Sequence, residues 1–153
     1  MVTISTTDDA ILGDIEIAAT PETVFKALTD PVQAAQWWGD SKAYRADKWE
    51  IDLRVGGAWT SKGTSADGST FEVKGEYLQI DPPHLLEYTW NASFGGPAAA
   101  SVVRWELSPT STGTRIKLTH SGLKEQPQAK FMYSNGWPGV MGWLKSYIEN
   151  KAA

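Results

Sequence analysis

Thr114-Arg115-Ile116-Lys117-Leu118-Thr119-His120, closed by Ser121-Gly122, decides the fold. Its alternation puts Ile116, Leu118 and His120 on one face and Arg115, Lys117 and Thr119 on the other. That is a half-buried strand, and a histidine shares its apolar face. The period then changes. Over residues 127–150, Tyr133, Trp137, Val140, Met141, Leu144 and Ile148 fall on one side at about 100° per residue, which predicts a long amphipathic helix with Lys145 and Glu149 facing water. Such a helix must cover the apolar face of the strand or one continuous with it. A titratable group between sheet and helix then suggests a lined pocket. Pro138, with Asn135 and Gly136 beside it, predicts a kink or a restart in that helix.

Working backwards, further strands read over residues 11–19, 44–53, 58–64, 69–80, 85–92, 100–107 and 113–120, separated by turn signals such as Gly56-Gly57, Asp67-Gly68 and Asp81-Pro82-Pro83. Two short helices follow the first strand. Thr20 and Asp30 fit as N-caps, each followed by proline at the first helical position. Helices segregated from strands joined by short turns predict an α+β class and an antiparallel meander. The expectation is six or seven strands with the C-terminal helix across the concave face, as one domain over residues 11–150 after a polar tail at residues 1–10. Residues 91–100, rich in Gly, Ala and Pro, read as a mobile loop near a pocket entrance.

Composition narrows the function. With 153 residues, the chain can bury a core without staples. It has no cysteine, which removes disulfides and thiolate chemistry. A formal charge of −4 and scattered basic residues argue against nucleic acid and anionic membrane as partners. No run is apolar enough to insert in a bilayer, and residues 1–10 lack a signal-peptide layout, so a cytoplasmic location is expected. No metal or cofactor is expected, because His84 and His120 are the only histidines and no phosphate-loop context exists. His84, after Pro82-Pro83, is expected to be exposed. The monomer and the homodimer both remain open.

Eight tryptophans invite two readings, a core of large rings or a cavity with stiff apolar walls. His120 could orient a ligand or act as acid or base; the plainer alternative is a neutral histidine satisfied inside the fold. Arg45, Asp47 and Trp49 alternate onto one face and Tyr44, Lys48, Glu50 and Asp52 onto the other, wet one. The two charges would then lie toward a pocket mouth, and solvent exposure or mutual pairing is the favoured role for them. Tyr88 and Trp90 share a face, and Tyr133 sits on the inward side of the helix. The expected ligand-binding set is His120, Trp49, Tyr88, Trp105, Tyr133, Trp137 and Met141, with no catalytic residue assigned.

Several collinear stretches carry a resemblance. They are Ala19-Thr20-Pro21-Glu22-Thr23-Val24-Phe25-Lys26-Ala27-Leu28, Trp37-Trp38, Val55-Gly56-Gly57, Gly75-Glu76-Tyr77-Leu78-Gln79-Ile80-Asp81-Pro82-Pro83, Trp105-Glu106-Leu107, Thr119-His120-Ser121-Gly122-Leu123 and Gly136-Trp137. On them the chain resembles the SRPBCC (START/Bet v 1-like) superfamily, and within it bacterial homologues of the activator of Hsp 90 ATPase C-terminal domain. The resemblance implies a helix-grip fold, a curved antiparallel sheet wrapped around the C-terminal helix with a pocket between them. It implies a small hydrophobic or aromatic ligand. It also leaves open an enzyme of cyclase, dehydratase or hydrolase type using His120, and a co-chaperone or stress-related interaction module.

Overall fold

The computed structural model describes residues 2–93 and 101–152, with side chains described to residue 150. The element order is β1 (Thr3–Thr6), β2 (Ile11–Ile17), α1 (Pro21–Thr29), α2 (Pro31–Trp37), β3 (Tyr44–Ile51), β4 (Ala58–Ser65), β5 (Thr70–Asp81), β6 (Leu85–Ala92), β7 (Ser101–Pro109), β8 (Thr114–Ser121) and α3 (Pro127–Ala152). All strands form one curved antiparallel sheet in the order β1-β2-β8-β7-β6-β5-β4-β3. The chain thus leaves the sheet after β2, re-enters at the far edge, and meanders back to pair β8 with β2.

Local chemistry sets the helix starts. Thr20 Oγ1 accepts from the Thr23 amide at 3.3 Å, and Asp30 Oδ1 accepts from the Val32 amide at 3.0 Å. Asp30 is also the last cap of α1, so one residue ends a helix and begins the next. On β8 the alternation holds: Ile116, Leu118 and His120 are buried, while Arg115 and Lys117 are exposed. Helix α3 lays Trp137, Val140, Met141, Leu144 and Ile148 against the sheet and the short helices, all buried. Gly13 on β2 lets it come close. A Cβ there would stand 2.8 Å from Met141 Sδ.

Five expectations change. The sheet has eight strands, because Thr3–Thr6, read as part of a polar tail, pairs with β2 through its backbone. Such pairing asks little of side chains. Of the kink or restart expected at Pro138, the restart is absent, since helix α3 passes through the proline as one element. The Ser134 carbonyl loses its helical partner there, but Trp137, Val140 and Met141 are buried on both sides of the proline and hold the helix in place. Lys145 and Glu149, expected to face water, are half-buried. Lys145 Nζ bonds Glu149 at 2.7 Å and the Glu16 carbonyl at 2.9 Å, and Glu149 accepts from the Ala18 amide at 3.0 Å. This latch ties the end of α3 to the end of β2.

The fourth change is on β3. A register shift between Arg45 and Lys48 breaks strict alternation. One extra residue in the strand turns the side chains over. Ala46 and Trp49 therefore face inward together, and Arg45 and Asp47 do not share a face with Trp49; both are exposed, the role favoured for them. The fifth concerns Tyr44, read onto the wet face, which turns inward and packs edge-on against Phe71 and Trp143. The loop expected over residues 91–100 lies, from residue 94 on, outside the described residues. His84 is exposed, as expected.

Candidate functional site

The inner face of the sheet is not uniformly filled. Where β3, β4 and β5 run side by side, the inward positions carry small side chains: Ala46, Ser61, Gly63 and Val73. Large rings stand around them. The space left between this floor and α3 is a pocket of about 320 Å³. Five indoles line it, from Trp38, Trp49, Trp59, Trp90 and Trp137, together with the rings of Tyr44, Phe71 and Tyr133. Ring centroids are 5.2 Å apart for Trp38–Trp49, 6.0 Å for Trp49–Trp59, 6.2 Å for Trp38–Trp90 and 5.6 Å for Trp90–Trp137. Tilted, stacked and edge-on pairs of this spacing lock one another in orientation. Exposed Ser69 and Thr70 in the β4–β5 hairpin, and Met132 and Gly136 on α3, mark where the pocket meets water.

Of the residues expected to bind a ligand, Trp49, Tyr133 and Trp137 are on this wall. The other four are not. Met141 is fully buried against β2. Trp105 is fully buried and its Nε1 donates to Tyr88 Oη at 3.0 Å, so the two satisfy each other away from the pocket. Burial pushes the Tyr88 hydroxyl well above the ordinary phenol range, with the Trp105 bond opposing it.

His120 stands behind Trp137. The indole Nε1 of Trp137 donates to His120 Nδ1 at 3.0 Å. An indole N–H can only donate, so Nδ1 is the acceptor and the ring proton sits on Nε2. Nε2 then donates to Ser101 Oγ at 2.7 Å, and Ser101 Oγ donates to the Trp90 carbonyl at 3.4 Å. Tyr133 lies over the imidazole with centroids 4.8 Å apart. Burial lowers the His120 pKa to about 3, so the ring is neutral. Both nitrogens are engaged. The residue fixes the orientation of a wall indole and is not itself part of the pocket lining.

Sequence reasoning missed Trp38, Trp59, Trp90, Tyr44, Phe71 and Ser61 as wall residues. Trp90 was placed on the correct face but not in the site. One signal for the floor was present. In Trp59-Thr60-Ser61-Lys62-Gly63, an inward tryptophan is followed by two small inward residues, opposite Phe71 and Val73.

The match to known proteins follows the same span. The family model for "Activator of Hsp90 ATPase homolog 1-like protein" matches residues 18–149. The chain belongs to this family. Solved bacterial structures share its fold. A protein from Rhodobacter sphaeroides is 19% identical with a TM-score of 0.83, covering 97% of this chain and 98% of that one. An AHSA1-like protein from Aeromonas hydrophila is 22% identical with a TM-score of 0.77, covering 94% of each chain. A protein from Mesorhizobium loti is 26% identical with a TM-score of 0.75, covering 92% of this chain and 97% of that one. No curated protein matches the chain. Among the described residues no helix is long and apolar enough to cross a membrane.

Proposed function

We propose that the protein binds a small hydrophobic or aromatic molecule in the pocket between the β3–β5 floor and α3. Family membership is compatible with a ligand-binding or a helper domain, and the pocket favours the first. The supporting observation is the composition of its wall: eight aromatic rings and no charged side chain among the described lining residues. Such a wall gives broad apolar contact and offers nothing to neutralise an ion. An apolar cavity of about 150 Å³ holds benzene. A pocket of about 320 Å³ therefore suits a ligand of two or three fused rings or a comparable acyl chain.

The test uses N-phenyl-1-naphthylamine, an uncharged aromatic probe. Saturable one-to-one quenching of tryptophan emission is expected, weakened at least tenfold by Gly136→Leu. A Cβ at Gly136 meets nothing within 4 Å, so the new side chain can fill the pocket mouth without disturbing the fold. Quenching that never saturates, or that Gly136→Leu leaves unchanged, overturns the reading. Native mass spectrometry of the protein purified from its own host would then identify the molecule it retains.

A further inference from the structure

Ser61 is 97% buried, being 3% exposed, and stands on the pocket floor between the inward positions of Trp59 and Gly63. Its neighbours across the strands are Trp49 and Val73, both apolar. Its hydroxyl meets no hydrogen-bond partner among the described residues. The oxygen opens onto the pocket space, so an occupant that cannot pair with it would leave it unsatisfied. The fold alone gives no reason for the oxygen.

The other polar groups of the wall are mostly committed elsewhere. Trp137 Nε1 donates to His120, Trp49 Nε1 to the Ala46 carbonyl and Trp38 Nε1 to Tyr44 Oη. Trp59 Nε1 lies 2.6 Å from where a Cβ on Gly75 would stand, so it faces the sheet and not the open space. Tyr44 Oη accepts from Trp38 at 3.2 Å, which leaves its own proton to donate. Trp90 Nε1 is buried without a hydrogen-bond partner, and Ser65, Ser69, Thr70 and Tyr133 carry further hydroxyls on the lining. The Ser61 and Tyr44 hydroxyls stand among rings that carry no charge.

We infer that Ser61 is the specificity-determining residue of the pocket, and that the ligand is an uncharged, fused-ring aromatic bearing an oxygen that hydrogen-bonds Ser61 Oγ. Tyr44 Oη, with its spare proton, is a second and weaker selector for such oxygens. A site built around a buried hydroxyl discriminates against an analogue of the same shape that cannot pair with it, because the hydroxyl is then left dry and alone. This inference rests on the binding reading above.

The experiment compares 2-acetylnaphthalene with 2-ethylnaphthalene, which share the ring system and a two-carbon substituent and differ in the carbonyl oxygen. The wild type is expected to bind the ketone about tenfold more tightly. Ser61→Ala is expected to bring the two within about twofold of each other, in part by tightening 2-ethylnaphthalene, whose binding no longer leaves a hydroxyl unpaired, and an unchanged far-UV circular dichroism spectrum reports an intact fold. Ser61→Thr, which keeps the hydroxyl, is expected to retain the preference. Tyr44→Phe is expected to lower it by a smaller factor. Equal binding of both probes by the wild type, or a preference that survives Ser61→Ala, overturns this inference and leaves the binding reading standing. If neither probe binds, both fall together.

Discussion

The two halves of the sheet meet α3 differently. On the β2–β8–β7 side the inward residues are Ile11, Ile15, Ile116, Leu118 and Trp105, and the helix lies on them through Met141 and Leu144 with nothing between. On the β3–β4–β5 side the pocket floor is made by the small residues Ala46, Ser61 and Val73, and the same helix stands off. One backbone architecture therefore supports a closed half and an open half, and only side-chain volume separates them. Burial in the closed half stabilises the molecule. The open half gives up dispersion contacts in exchange for a space that another molecule can fill. Trp137, His120, Ser101 and Trp90 form the seam between them.

The largest expected effect breaks the closed half. Leu144 is fully buried, and Leu144→Ala should lower the unfolding free energy by about 2–5 kcal/mol in chemical denaturation. A shift near zero would mean that this half is as loosely filled as the other.

The seam supplies the second test, through pH. His120 has a folded pKa of about 3 against an ordinary value of 6.5. Between those values the unfolded chain holds the extra proton. The stability tied to the neutral ring is complete above about pH 6.5 and falls as pH drops toward 3. One proton corresponds to about 1.4 kcal/mol per pH unit. Denaturation curves at pH 6 and pH 4 should show the wild type losing more stability than His120→Gln, by about that slope. Parallel pH profiles would place the imidazole in contact with water.

The comparison sharpens with two glycines, one in each half. At Gly13 a side chain collides with the buried Met141, and Gly13→Val should destabilise by about 1–3 kcal/mol. At Gly136 a Cβ meets open space, and Gly136→Ala should stabilise by up to about 1 kcal/mol through helix propensity alone. Thermal melts of the pair should move in opposite directions. Two shifts of the same sign would remove the distinction between a filled and an unfilled half.

Much of the closed half was legible in the sequence. Period 2 at residues 114–120 and period 3.6 beyond Gly122 identify two faces that must meet, and Thr20 and Asp30 announce the helix starts from local chemistry. The open half was harder to read. A single extra residue between Arg45 and Lys48 reversed the faces of β3, and a bulge leaves no mark in hydrophobic alternation. His120, Tyr88 and Trp105 were rightly placed on inward faces. Which inward side chain borders empty space, however, depends on what stands in front of it. Trp137 stands in front of His120, and that is a fact of tertiary packing. Ser61 escaped notice for the opposite reason: a small polar residue in a strand full of Ser and Thr attracts no attention until its neighbours are known to be apolar.

The chain of wall indoles, each within 6.2 Å of the next from Trp59 through Trp49, Trp38 and Trp90 to Trp137, has an optical consequence. At such separations dipolar coupling moves an excitation between rings much faster than any ring emits. Light absorbed by one indole is shared by all, and emission leaves from whichever has the lowest excited state. A single acceptor seated among them would drain the whole array at once. Strong depolarisation of the emission, relieved on excitation at the red edge of the band, is the signature to look for, and it makes the pocket wall a built-in antenna for its own occupancy.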